Sequence, residues 1–390
     1  MAVPRSRLLV ASTLSALSTV FLFLTGCQGV SSSAAAPQAA VASAFVYVLS
    51  NPSGNNFAIN AFSANSSGQL TPVPGSPFAM NVRTIAASRN FVFGTDGTSI
   101  FSFSIAANGA LTQVSSMSIR QFNPNGEFAE LFLDDTGATL YAVHFRIDGA
   151  NEGYDSFRVD HSTGVLTFLG ATFTGCCGHV ALNFMANNVY GFTSECFHGD
   201  TTVALYKRND DGTLTSVPGG LDNSPDPTHL CPESVSPGPA GTLAVAFGPD
   251  CGPGVETTPQ AGGVVLAVYS VDSSGFLTTS STVANMPQTT VGGMIEMSPS
   301  GKFLAVGGLG LEVFHFNGAN PITPFTGLLT TDKIEQFGQM AWDNDDNLYA
   351  LSQSGNKLSV FTVTATNAGS APGSPYAITN PFAIAIARRD

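Results

Sequence analysis

The sequence predicts an all-β fold, a seven-bladed β-propeller with four-stranded blades, on three observations. One phrase recurs seven times after residue 44: an apolar strand, a second strand of the form Ile/Val-x-x-Phe/Tyr-x-Val, Gly-x-Leu-Thr, and a Pro-rich passage. The openings of the phrase lie 44 to 61 residues apart, a spacing typical of propeller blades and longer than that of helical solenoids. Apolar residues alternate with small polar ones between Gly, Asn, Asp and Pro, which indicates strands joined by tight turns.

Each phrase opens on a strand that we expect to be the second of its blade. These strands begin near Phe45, Phe91, Thr139, Asn188, Thr242, Phe303 and Asn347. A further strand precedes most of them, as at residues 293–297, where Ser-Pro-Ser-Gly then supplies the turn. The first blade has no such strand ahead of residue 44, whereas the chain ends on the alternating residues 382–387. We therefore expect the C-terminal strand to pair with the N-terminal blade and close the ring.

The amino terminus has the pattern of an export signal. Arg5 and Arg7 precede an apolar run over residues 8–24, and Leu-Thr-Gly-Cys ends at Cys27. This pattern resembles a bacterial lipoprotein signal of residues 1–26, with Cys27 as the lipidated residue. Gln28 follows it and, by resemblance to enteric lipoproteins, favours the outer membrane. Residues 27–43 would then be a lipidated tether rich in Ser, Ala and Gly, and residues 44–390 the propeller.

The charge of the exported chain excludes some partners. Without Arg5 and Arg7, 12 basic residues remain against 27 acidic ones, a formal charge of −15. Binding to nucleic acids or to anionic lipid surfaces requires a basic protein surface, so neither is an expected partner. The expected contact with the membrane is through the lipid anchor. We expect a protein, small-molecule or carbohydrate ligand, and no cofactor or metal.

Five cysteines follow Cys27, and all lie in the fourth and fifth blades. Their spacing brackets the first two strands of each blade, where an antiparallel pair brings entrance and exit together. We predict bridges between Cys231 and Cys251, and between Cys196 and either Cys176 or Cys177. The alternative is a zinc site, because His179, His198 and His229 each lie two residues from a cysteine; export to an oxidising compartment favours the bridges.

Several repeat motifs stand out: Gly-x-Leu-Thr at residues 109–112 and 212–215, Gly-Ser-Pro-Phe at 75–78, and Ser-Pro-Ser-Gly-Lys-Phe-Leu-Ala-Val at 298–306. By these motifs the repeat resembles the lactonase-type seven-bladed propellers, which include bacterial phosphogluconolactonases, cyclic-muconate enzymes and Tyr-Val-Thr-Asn surface repeat proteins. These residues build the scaffold, so they identify the fold more specifically than the activity.

Enzymes of that family carry Gly-Pro-Arg-His before one inner strand and Asn-Glu after the next strand. Here the nearest match to the first motif is Asp226-Pro-Thr-His, so His229 occupies the position of the family histidine and Thr228 that of the arginine. At the second motif, Gly-Pro-Asp250 stands in place of Asn-Glu. The resemblance implies a lactone hydrolase in which His229, with Asp250 or Glu233, is the base. Arg146 or backbone amides would hold the oxyanion. The shortage of basic residues disfavours a phosphorylated sugar lactone and leaves a neutral sugar or other lactone.

The position of several other residues in the repeat predicts their roles. Glu296 is an acid in the middle of the strand Met-Ile-Glu-Met, and we predict that it faces the central channel. The acidic run at residues 343–347 could be a calcium loop, but it lacks the Gly and distal Glu of an EF-hand and is interpreted as a solvated turn. Trp342 is interpreted as a packing residue between blades. His144 and His315 are interpreted as packed or surface histidines.

We predict a binding or interaction protein of the cell envelope, because the loops of such a ring vary without altering its scaffold. The binding face would include His179, His198, Glu195 and Arg146. Whether the protein is an enzyme is left open, and lactone hydrolysis centred on His229 is the alternative.

Overall fold

The computed structural model describes residues 42–54, 56–118, 126–146, 153–173, 182–185, 189–197, 200–221, 224–229, 231–249, 263–318, 322–329 and 335–389. In chain order the first strands are β1 (Ala44–Ser50), β2 (Ala58–Ala64), β3 (Leu70–Pro72), β4 (Phe78–Ala79), β5 (Thr84–Ala87), β6 (Phe91–Thr95), β7 (Ser99–Ile105), β8 (Leu111–Ser118), β9 (Gly126–Leu133), β10 (Thr139–Arg146), β11 (Gly153–Val159), β12 (Leu166–Phe173), β13 (Asn183–Phe184), β14 (Tyr190–Phe197), β15 (Asp200–Arg208) and β16 (Leu214–Leu221). They are followed by β17 (Cys231–Gly238), a 3₁₀ turn (Pro239–Gly241), β18 (Thr242–Gly248), β19 (Val264–Val271), β20 (Leu277–Thr279), β21 (Gln288–Thr289), β22 (Met294–Met297), β23 (Phe303–Gly308), β24 (Gly310–His315), β25 (Thr323–Pro324), β26 (Phe337–Trp342), β27 (Asn347–Ser352), β28 (Lys357–Val363), β29 (Ala368–Ser370), β30 (Tyr376–Ala377) and β31 (Pro381–Arg388).

The described residues form seven antiparallel sheets, which are the blades of a seven-bladed propeller. Blades two to seven begin on β5, β9, β13, β17, β22 and β26, and each runs outward through the next three strands of the chain. The short strands β4, β21 and β30 add a second pairing to the third strand of blades one, five and seven. The predicted fold class and the four strands per blade are confirmed.

The ring is closed by the end of the chain, as predicted. The first sheet has the order β3-β2-β1-β31, so its inner strand comes from the carboxyl terminus. Ala44 pairs with Arg388 and Ser50 with Pro381 along the whole of β1. This pairing covers the edge of β1 that would otherwise be open.

The core consists of apolar layers between neighbouring blades. All seven residues of β1 are buried, because alternate side chains face opposite neighbours. Phe45, Tyr47 and Leu49 pack against blade two, whereas Val46 and Val48 pack against blade seven. Burial on both faces explains why the second strands read as continuous apolar runs.

Hydrogen bonds from tyrosines join consecutive blades. The hydroxyl of Tyr47 donates to the carbonyl of Gly109 in the next blade at 2.9 Å, and Tyr141 donates to Gly212 at 2.8 Å. Both glycines belong to Gly-x-Leu-Thr turns and have positive φ, a conformation that favours glycine. The repeated phrase thus supplies the apolar layer and a polar contact that fixes the spacing of the blades.

The described residues contain no helix long and apolar enough to cross a membrane. Residues 1–41, which include the predicted signal and Cys27, lie outside the described part of the chain.

Candidate functional site in the central channel

A central channel runs between the inner strands. A cavity of about 510 Å³ is lined by residues of β5, β9, β13, β17, β22, β26 and β31. A second cavity, of about 330 Å³, lies where inner strands end and turn into second strands. We call that side of the ring the turn face, and the side on which the inner strands begin the loop face. The two cavities share lining residues, among them Glu296 and Arg388, so they meet within the ring.

Glu296 lines the channel from β22 in blade six. It is opposite Ala305 in register, and its neighbours Ile295 and Met297 pack in the layer between blades five and six. Burial raises the pKa of the Glu296 carboxyl to about 7, and the nearby charge of Arg388 opposes the rise. The strand alternation that turns its neighbours into the core therefore leaves this acid facing the channel.

Arg388 reaches the same part of the channel from the closing strand. Its Nε donates to the carbonyl of Trp342 in blade seven at 3.1 Å. The indole Nε1 of Trp342 in turn donates to the carbonyl of Glu296 at 3.0 Å. Trp342 is fully buried and stacks on Phe303 with ring centroids 6.4 Å apart. Trp342 is thus a packing residue between blades, and it also joins the backbone of Glu296 to the side chain of Arg388.

Two more carboxyls face the channel from blade three. Asp135 lies at the turn face, and its pKa is raised to about 6 by burial and by the adjacent Asp134, against the charge of Arg388. Glu130 lines the larger cavity, and burial raises its pKa. Arg83 lies at the start of β5, toward the loop face, and Arg388 lies at the end of β31, toward the turn face. The sequence predicted a channel position for Glu296 but not for Glu130, Asp135, Arg83 or Arg388. For these four residues the only signal in the sequence was the position that each occupies in the repeat.

His229 lies just ahead of β17, on the loop face. Its Nδ1 is 2.8 Å from the Asp226 carboxylate, and its Nε2 is 3.1 Å from the carbonyl oxygen of Gly263. The Asp226 carboxylate also accepts hydrogen bonds from the backbone N–H and the hydroxyl of Thr228, and the backbone bond is the main cause that lowers its pKa. Carboxylate and carbonyl oxygens only accept, so each ring nitrogen of His229 faces an acceptor at hydrogen-bond distance. Its side chain is 15% exposed and lines neither channel cavity.

Glu233 lies at a β-bulge in β17, where the pairing shifts between Pro232 and Ser234. Its carboxylate fits between Gly248 and Gly293, positions at which a Cβ atom would collide with it. Burial raises the pKa of this carboxyl. A bulge redirects a side chain out of the regular alternation, and here it directs Glu233 to the boundary between blades five and six. Glu233 does not line either cavity.

Other predicted site residues lie beyond what the structure describes. Asp250, His179, His198, Cys176, Cys177 and Cys251 are outside the described residues. Glu195 and Cys196 belong to β14, and Arg146 ends β10, with only their backbone described. Cys231 is buried at the start of β17 and pairs with Gly248. The two disulfide bridges therefore stay predictions, and so does the lipidation of Cys27.

Among the residues with described side chains, no group of three or more His, Cys, Asp or Glu could hold a metal ion.

The histidines on strands are packed. His144 is 1% exposed and lies 3.1 Å from the Asp155 carboxylate. His315 packs against Phe325 with ring centroids 4.1 Å apart. The acidic turn is exposed at Asn344 and Asp345, in agreement with its interpretation as solvated, whereas Asp343 at its start is fully buried. Tyr349 and Asn347 donate hydrogen bonds to the Asp343 carboxylate.

Comparison with protein-family models gives no match, and comparison with curated proteins gives none. Solved structures do resemble the chain. A "putative 6-phosphogluconolactonase" from Bacteroides fragilis is 14% identical with a TM-score of 0.64, covering 90% of this chain and 99% of the other. A protein of the same name from Bacteroides uniformis is 14% identical with a TM-score of 0.59, covering 88% and 99%. A protein from Lactobacillus plantarum is 12% identical with a TM-score of 0.62, also covering 88% and 99%. The chain is therefore similar to these proteins in fold. Sequence identities this low support a similarity of fold and not of activity.

Proposed function

We propose that the protein is an exported, lipid-anchored binding protein of the cell envelope, and not a hydrolase that uses His229. The observation that carries the proposal is that both ring nitrogens of His229 face acceptors. A general base needs a nitrogen lone pair directed at the substrate or its attacking water. In this arrangement His229 instead ties residues 226–229 to the start of β19.

The channel supports the binding role. Its volume is within the range of small-molecule sites, and its wall combines apolar strand residues with a few charged side chains. Arg83 and Arg388 lie toward opposite ends of the channel, so they do not form the paired clamp that a phosphate group favours. A ligand without phosphate is therefore the better match.

Lactone hydrolysis is tested directly on the purified chain. A panel of neutral and phosphorylated lactones, followed by pH-stat titration, should show no turnover above the uncatalysed rate. The His229→Ala variant is the matched control. Turnover that this substitution abolishes would overturn the proposal.

Lactone hydrolysis with another base is the second candidate. It is favoured by Glu233, a carboxyl with a raised pKa at a bulge on the loop face. A carboxylate of raised pKa is better suited to accept a proton near neutral pH. Turnover that persists in His229→Ala but is lost in Glu233→Gln would establish this candidate in place of the first.

The envelope location is supported by the signal pattern that ends at Cys27. In cells, the Cys27→Ser variant should leave the membrane fraction and lose incorporation of labelled palmitate. Equal membrane recovery of variant and parent would contradict lipid anchoring.

The disulfide bridges Cys231–Cys251 and Cys196 with Cys176 or Cys177 belong to the same exported state. Peptide mapping without reductant tests them, and five free thiols would exclude both.

A further inference from the structure

We infer that Glu296 and Arg388 form a binding site inside the channel for a small neutral polyhydroxylated compound, such as a monosaccharide. This inference rests on the proposed binding role and assigns it a place and a ligand class. The site is toward the turn face, whereas His229 and Glu233 are on the loop face. It is thus distinct from the position at which the family resemblance would place catalysis.

The fold holds the Arg388 side chain and the backbone of Glu296 in place. Arg388 is fixed through its Nε to the carbonyl of Trp342, at 3.1 Å. The Glu296 backbone is fixed by the Trp342 indole, at 3.0 Å. Because Trp342 is fully buried, the blades that supply Glu296 and Arg388 are held in fixed relation. Such preorganisation lowers the entropy that binding would otherwise cost.

The groups that would contact a ligand make no hydrogen bond or ion pair with other described residues. Within the described part of the chain, no hydrogen bond or ion pair reaches the Glu296 carboxyl or the two terminal amino groups of Arg388. Both residues line the larger cavity and the smaller one. A carboxyl and a guanidinium therefore face the same space with their hydrogen-bonding capacity free.

The surrounding charges select a neutral ligand. Asp135 at the turn face and Glu130 in the larger cavity add two carboxyls to Glu296, so an anion would be repelled. Arg388 opposes a cation at the same point. A hydroxyl group both donates and accepts, so neighbouring hydroxyls can donate to the carboxylate and accept from the guanidinium. Leu133, which is partly exposed and lines both cavities, offers an apolar wall to the C–H face of a sugar ring.

The size of the cavity agrees with such a ligand. About 510 Å³ falls within the range of 300 to 1,000 Å³ that is general for small-molecule sites. The adjoining cavity of about 330 Å³ lies at the turn face, where Pro239, Ser298, Pro299 and Gly301 of the turns after β17 and β22 line it. A ligand at Glu296 and Arg388 would therefore be reached from the turn face.

The test is saturation-transfer NMR, followed by titration calorimetry, on the full-length protein in detergent. The probes are D-glucose, D-galactose and myo-inositol, with gluconate and glucosamine as charged analogues. We expect saturable binding of at least one neutral probe, and at least tenfold weaker binding of the analogue of either charge. Glu296→Gln and Arg388→Gln should each weaken the neutral probe about tenfold or more, as expected for the loss of a charged hydrogen bond.

The matched control is Arg389→Gln, the neighbouring arginine, whose guanidinium lies 5.1 Å from the ring of Phe45. It should bind the neutral probe as the parent does. Because Glu296 makes its fold contact through its backbone, Glu296→Gln should keep the parent's near-ultraviolet circular dichroism. Binding that persists in both channel variants would overturn this site and leave the binding role intact. No saturable binding of any neutral probe would overturn the ligand class.

Discussion

Glu296 should make the stability of the protein depend on pH. Its pKa is raised from 4.5 to about 7 by burial, so the folded protein holds the proton more tightly than the unfolded chain. The stabilisation is complete below pH 4.5 and is lost as the pH rises through 7. Between pH 5 and pH 8 this group alone should lower the free energy of unfolding by about 2 kcal/mol. Glu296→Gln should remove that loss, which urea denaturation at the two pH values would measure.

Asp210→Asn is the control for this prediction, since it removes a carboxyl that is exposed on the ring surface. It should leave the difference between pH 5 and pH 8 unchanged. If the unfolding free energies of Glu296→Gln and the parent run parallel with pH, the Glu296 carboxyl does not titrate differently in the folded protein.

Single residues were predictable from sequence only where the local pattern was informative. Glu296 was found because an acid in the middle of an apolar strand needs a polar surface. Arg388 and Asp135 come from blades one and three, and no local pattern brings them to Glu296. His229 was found by its motif, but its partner Gly263 lies 34 residues away, so the motif could not show that both ring nitrogens are occupied.

The Gly-x-Leu-Thr turn is the element that connects neighbouring blades. Gly109 has φ +86°, and a Cβ there would lie 2.6 Å from a ring carbon of Phe45. Gly109→Ala should therefore suffer backbone strain and a steric clash at the blade interface. We expect a loss of about 2–4 kcal/mol in unfolding free energy, measured by chemical denaturation.

Gly54→Ala separates the two causes. Gly54 has a similar φ of +78°, but nothing lies within 4 Å of the added Cβ. Its loss should be about 1–2 kcal/mol, from backbone strain alone. Equal losses in the two variants would mean that the contact of Gly109 with Phe45 does not limit the approach of the blades.

The elements were predictable in proportion to their burial. The second strands begin within two residues of the predicted positions, because burial on both faces makes their sequences continuously apolar. The outer strands were not distinguished: β8, β12 and β16 have eight residues each, whereas β3 and β20 have three. β8 is largely exposed on both faces, so its sequence has little hydrophobic pattern from which its length could be predicted.

At the scale of the whole ring, the closing strand joins structure to the proposed site. β31 completes the first blade, lines the channel and carries Arg388. The predicted closure needed only the alternation of residues 382–387 and the missing first strand of blade one. That Arg388 also contacts blade seven through Trp342 follows from the circular arrangement, which places the last strand beside the last complete blade.

Deletion of residues 381–390 should therefore open the ring. It would expose one edge of β1, remove the buried Ala385 and Ala387 from the layer against blade two, and break the contact between Arg388 and Trp342. We expect calorimetry to show a melting temperature lower by at least about 10 °C or a loss of the cooperative transition, because the deletion removes several kcal/mol of buried contacts and each kcal/mol lowers the melting temperature of a large domain by about 2 °C or more. Deletion of residues 389–390 is the control. It removes one backbone hydrogen bond to Ser43 and the contact of Arg389 with Phe45, and should lower the melting temperature by only a few degrees. If the longer deletion melts cooperatively at the parent's temperature, the pairing of β31 with β1 does not hold the ring closed.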